Sequence, residues 1–221
     1  LPQPKGWEIA ASLKSAREVA GDFYDVFDLP GGKVGLVIAD VCDKGLGAAL
    51  FMTLFRSLIR AISNIDFFAR VESGVVNTSA MRLKNAISLT NNYIAEIHGD
   101  TGMFATIFFG ILDVRTGKLT YINGGQLPPM IINMQGVKKL LRFTGPAVGA
   151  QADAEYVIEQ VTIQRGESFF AYTDGLTDAV NPKGEFFTEK EFLPYLKKSQ
   201  PLEKLLAQIQ TRVDKFAAGA K

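Results

Sequence analysis

The order of its periodic segments most restricts how this chain can fold. Two helical patterns stand back to back in the first half, with short strand-like runs before and after them. In the first, Phe51, Leu54, Phe55, Leu58, Ile59 and Ile62 recur at the spacing of one helical face, and Arg56 and Arg60 fall off that stripe. A second helix is predicted over residues 78–97, with Leu83, Ala86, Ile87, Ile94 and Ile97 on one face; residues 66–77 read as a loop. Strands are predicted at 7–12, 23–29 and 34–39, the last two joined by the turn Pro30-Gly31-Gly32. After the helices come strands at 105–112, 119–123, 130–132, 156–163 and 168–173, with a hairpin loop at 113–117. Helices at 189–197 and 202–216 close the chain. Grouped strands with helices inserted between them do not alternate as βαβ units do, so the pattern predicts an α+β sandwich with antiparallel pairing.

With 221 residues, 47% hydrophobic and 21% charged, the chain fits one domain with a core that needs no disulfide or zinc staples. The 24 basic and 23 acidic residues nearly cancel, and no long basic run appears, which argues against a nucleic-acid surface. A single cysteine, Cys42, has no internal disulfide partner and suits a reducing cytoplasm. A single histidine, His98, excludes a multi-histidine zinc site and leaves oxygen donors for any metal, hence hard ions. His98 itself reads as a solvated helix-end residue. No apolar stretch near 18 residues is apparent, so this segment is expected neither to span nor to enter a membrane.

Two apolar runs end in the same way. Asp40 follows the strand at 34–39 and Asp174 follows that at 169–173, each placing a carboxylate where a buried strand emerges. Such a carboxylate destabilises the fold unless it is paired or bound to a cation, although a turn that happens to use Asp explains either one alone. Asp22 and Asp25 flank Phe23-Tyr24. Residues three apart on a strand point to opposite faces, so both cannot serve one cluster. Asp22 is preferred because Gly21 lets the backbone approach a ligand; Asp25 reads as a hydrogen-bonding support or a surface charge.

Residues 16–25 (AREVAGDFYD) resemble the opening motif of the bacterial type 2C, metal-dependent protein phosphatases, in their sporulation- and stress-regulator branch. Residues 38–50 (IADVCDKGLGAAL), 103–106 (MFAT), 123–129 (NGGQLPP), 145–149 (GPAVG) and 172–178 (YTDGLTD) match further motifs in order along the chain. The resemblance implies a four-layer αββα fold, an antiparallel β-sandwich flanked by helices, with two Mn²⁺ or Mg²⁺ ions at one end. By motif position it makes Asp22, Asp40 and Asp174 the carboxylate ligands, adds the Val41 carbonyl, puts Asp178 near a further metal, and gives Arg17 a phosphate-binding role. The implied chemistry is attack on phosphorus by a metal-activated water. No protein nucleophile is then needed, so Cys42 reads as a small packed residue. The implied substrate is a phosphoserine or phosphothreonine protein, in this branch an anti-sigma-factor antagonist. The expected setting is the cytoplasm, with membrane tethering of the parent protein left open. The first-helix stripe reads as core, with the alternative that part of it faces a regulator or a second copy of the chain, as a homodimer.

Several positions depart from that family. Gln126 stands where relatives often carry His, and Ala20 and Asp43 replace more usual glycines. The chain ends at Ala218-Gly219-Ala220-Lys221, about where a closing Asp-Asp-Ile-Thr strand should begin. The expectation is therefore a single phosphatase domain over 1–221, excised from the C-terminus of a longer protein behind a sensor domain, and lacking its last strand. The alternative is a non-catalytic signalling scaffold that keeps the fold.

Overall fold

The structure is a computed structural model that describes residues 1–14, 20–65, 78–197 and 200–219. It opens with a hairpin, β1 (Phe23–Leu29) and β2 (Lys33–Val41), followed by α1 (Leu46–Asn64) and α2 (Ser79–Ile97). Six strands follow: β3 (Ala105–Asp113), β4 (Lys118–Gly124), β5 (Met130–Asn133), β6 (Gly136–Leu140), β7 (Glu159–Thr162) and β8 (Ser168–Phe170). The helices α3 (Glu189–Leu196) and α4 (Leu202–Ala217) complete it. The ladders run β1-β2-β3-β4-β7 in one sheet and β6-β5-β8 in the other, and every ladder among the described residues is antiparallel.

Alternation along β3 shows how the layers form. Ala105, Ile107, Phe109 and Ile111 join a core with Phe55 and Ile59 of α1 and Leu83, Ile87 and Ile94 of α2. Phe108 and Leu112 point the other way, into a second core with Ile131 and Phe169 of the smaller sheet and with Leu141 just past β6. A third core joins Phe170 and Tyr172 to Phe192, Leu205 and Ile209 of α3 and α4. The result is the α+β, four-layer αββα sandwich expected from the sequence. Val37 and Ala39 face one core and Leu36 and Ile38 the other, so β2 is covered on both sides, as its apolar run predicts.

Three expectations need correction. Residues 7–12 form no strand. The backbone of Ile9 is bonded by the Gln3 side chain, through Nε2 to its carbonyl at 2.8 Å and Oε1 from its N–H at 3.3 Å, which leaves no ladder there. Trp7 instead donates from Nε1 to the Val114 carbonyl at 2.8 Å and lies against the second core. The strands expected at 156–163 and 168–173 shrink to β7 and β8, because Tyr156 turns inward to hydrogen-bond Asn91 and residues 171–173 leave the ladder toward Asp174. Finally, α1 reaches the length and apolarity of a bilayer span, with a window of mean hydropathy 1.4. Its Ala48, Phe55 and Ile59 are nonetheless buried in the helix-side core.

Candidate metal centre

The register of the first hairpin places two of the three aspartates. Phe23 pairs with Ala39, so one step further along the same register Asp22 stands opposite Asp40. Opposed residues share a face, and the even-numbered residues of β2 face the smaller sheet. From that sheet β8 runs out at Phe170, and Asp174 opens a short 3₁₀ turn, Asp174–Leu176. Carboxylate oxygens of Asp22, Asp40 and Asp174 lie within 4.8 Å of one another. Asp25 falls on the opposite face, as strand alternation requires.

Close backbone approach assembles the rim. A Cβ on Gly21 would come within 2.7 Å of the Val41 carbonyl, and one on Gly175 within 3.3 Å of Asp22 Oδ2. Glycine at both places lets the segments meet, with the Val41 carbonyl set directly against Gly21. Asp43 adopts the left-handed conformation (φ 71°), which glycine takes more readily than other residues; its Oδ1 accepts from the Lys44 N–H at 2.7 Å.

The electrostatics are those of crowded acids. Burial, then the hydrogen bond and charge of Asp22 and the charge of Asp174, push the Asp40 carboxyl up to about 7. Burial, then the charges of Asp178 and Asp22, raise Asp174, against the Gly175 N–H and Lys44. Oxygen donors with surplus negative charge suit a hard divalent cation, so the residues present fit the ions that the resemblance implies.

The other candidate residues fall out differently. The Asp178 side chain is exposed and lies outside the converging trio; its N–H donates to the Asp174 carbonyl at 2.7 Å. Arg17 lies outside the described residues. Cys42 is packed, its sulfur accepting from the Phe104 N–H at 3.1 Å, in keeping with a structural role. Gln126 is buried, its Oε1 accepting from the Leu127 N–H at 2.7 Å. His98 caps α2 between the rings of Phe51 and Tyr93. Sequence reasoning missed two residues of the site. Thr173 donates from Oγ1 to Asp22 Oδ2 at 2.7 Å, and Lys44 is the cation whose charge opposes both raised carboxyls. The adjacency of Thr173 to Asp174 and of Lys44 to the Gly45 turn was the available signal.

The chain is 43% identical over 208 residues to protein IcfG of Synechocystis sp., covering 89% of this chain and 33% of that protein. It is 24% identical over 185 residues to the phosphoserine phosphatase RsbU of Bacillus subtilis, covering 83% and 50%. It thus spans a third to a half of the length of these relatives. Among solved structures, the Streptococcus agalactiae serine/threonine phosphatase superposes with a TM-score of 0.73 at 13% identity, covering 94% of this chain and 92% of that one. The SiaA-PP2C domain of Pseudomonas aeruginosa gives 0.68 at 20% identity, covering 91% and 76%. The family model of stage II sporulation protein E (SpoIIE) matches residues 30–221. The chain belongs to that family, and its relatives and structural neighbours include phosphoserine phosphatases and type 2C phosphatase domains.

Proposed function

We propose that this domain hydrolyses phosphoserine or phosphothreonine on a regulatory protein, with two divalent cations, Mn²⁺ or Mg²⁺, held by Asp22, Asp40, Asp174 and the Val41 carbonyl. The observation that carries the reading is the convergence of three chain-distant carboxylates within 4.8 Å. Bound cations supply Lewis acidity for activating water and offsetting phosphoryl charge. The chain's own residues hold and orient. Thr173 fixes the rotamer of Asp22, Lys44 adds positive charge beside the cluster, and Arg17 binds the phosphoryl group.

The substrate in this reading is an anti-sigma-factor antagonist. Support comes from the relatives described as phosphoserine phosphatases, RsbU and RsbP, and from a structural neighbour that joins RsbU and RsbW domains in one Mycobacterium tuberculosis protein. The domain would act in the cytoplasm as the output module of a longer protein, consistent with its partial coverage of relatives.

The test is Mn²⁺-dependent hydrolysis of para-nitrophenyl phosphate and of a phosphoserine peptide. Turnover lost on adding EDTA and lost in Asp174→Asn supports the reading; no turnover with saturating Mn²⁺ defeats it.

A further inference from the structure

Asp25 faces α1 and is only 5% exposed. A carboxylate so withdrawn from water destabilises a fold unless cations answer it. Arg56 Nη2 lies 3.3 Å from its Oδ1, and Arg60 Nη1, one helical turn on, lies 3.5 Å from its Oδ2. Arg60 also sits over the Phe27 ring at 5.1 Å. That ring has room because Gly35 stands opposite, where a Cβ would come within 2.7 Å of it. Asp25 Oδ2 accepts no hydrogen bond among the described residues, so Arg60 compensates it by charge alone.

The elements so joined are the ones that carry the cluster. Among the described residues β1 is the edge strand of its sheet, with a ladder on one side only, and Asp22 stands at its head. α1 begins just after Gly45, a short turn beyond Asp40. From this placement we infer that Asp25, Arg56 and Arg60 are positioning residues, a clasp in which two half-exposed arginines answer the buried Asp25 and hold edge strand β1 against α1, so that Asp22 and Asp40 keep the spacing a divalent cation needs. The inference rests on the metal centre proposed above.

Calorimetric titration with Mn²⁺, alongside melting in EDTA, separates a positioning role from a merely structural one. Asp25→Asn and the double variant Arg56→Gln/Arg60→Gln are each expected to bind Mn²⁺ about tenfold more weakly than the wild type, the low end of what ligand-supporting residues cost. The triple variant Asp25→Asn/Arg56→Gln/Arg60→Gln buries no charge, so it should recover most of its EDTA melting temperature while its Mn²⁺ affinity stays low. Arg56→Lys/Arg60→Lys keeps the charge and should restore most of the affinity. If the triple variant binds Mn²⁺ within about twofold of the wild type, the clasp serves stability alone and the inference is overturned. A wild-type protein that binds no Mn²⁺ would instead defeat the metal centre itself, a result read before any variant is made.

Discussion

With its carboxyl pushed up to about 7 by burial and by Asp22 and Asp174, Asp40 couples folding to pH and to metal. The unfolded chain has the ordinary value of 3.8, so between these values the folded state holds more protons. The stability Asp40 gains from its proton is therefore fully present below about pH 4 and lost as pH rises through about 7. In EDTA, Asp40→Asn should raise the melting temperature at pH 8 by about 3–6 °C and change little at pH 4. The same variant should lose the stabilisation that Mn²⁺ gives the wild type; a pH-independent effect in EDTA would contradict this account. Lys44 acts in the opposite sense. Lys44→Met leaves the cluster more anionic, so Mn²⁺ affinity should rise a few-fold while the KM for para-nitrophenyl phosphate also rises, both measurable in one titration series. Asp40 and Asp174 were conspicuous in the sequence because each follows an apolar run, although Asp40 lies inside β2, paired with Thr106, and Asp174 stands past the end of β8. Thr173 and Lys44 were not, because their roles come from segments that meet only through the register of β1 with β2 and the exit of β8.

At the scale of elements, the long periodic patterns of α1 and α2 survived folding, while the short strands moved. β6 was missed because Val137-Lys138-Lys139-Leu140 is an exposed edge with no apolar alternation to read. Residues 7–12 looked like a strand because the pattern of Trp7 and Ile9 suits one, yet the Gln3 side chain took up the backbone of Ile9. The segment between β6 and β7 is held by the Ala105–Val148 bridge, by Asn92 against Asp153, and by the side chain of Asn91. Asn91 of α2 accepts at Oδ1 from the Gly149 N–H at 2.8 Å and from the Tyr156 hydroxyl at 3.0 Å, and donates to the Gln151 carbonyl at 2.8 Å. Asn91→Ala strands these buried groups and should destabilise by about 2–4 kcal/mol, whereas Tyr156→Phe removes one bond and should cost about 1 kcal/mol. Urea denaturation of both variants checks the ratio; equal losses would mean that Tyr156, not Asn91, organises the loop.

Across the whole molecule, the candidate centre lies where the two sheets meet, at one rim of the core they share. Asp22 and Asp40 belong to the five-stranded sheet, which α1 and α2 cover, whereas Asp174 follows β8 of the three-stranded sheet at the border of the α3–α4 layer. The third core is the smallest, resting on Phe187, Phe192, Leu205 and Ile209, so α3 and α4 should open by sub-global fluctuation more readily than β2 and β3. A cation shared by Asp22, Asp40 and Asp174 would staple the two sheets, because any opening that carries Asp174 away breaks its coordination. Hydrogen exchange in EDTA should then show α3 and α4 amides exchanging at least about tenfold faster than those of β2 and β3. Adding Mn²⁺ should slow exchange in α3, α4 and the 174–178 turn, and Asp174→Asn should abolish that slowing while leaving the exchange of β2 and β3 unchanged. Slowing by Mn²⁺ confined to β1 and β2 would mean that the cation is held by the first hairpin alone and that Asp174 does not join it to the second sheet.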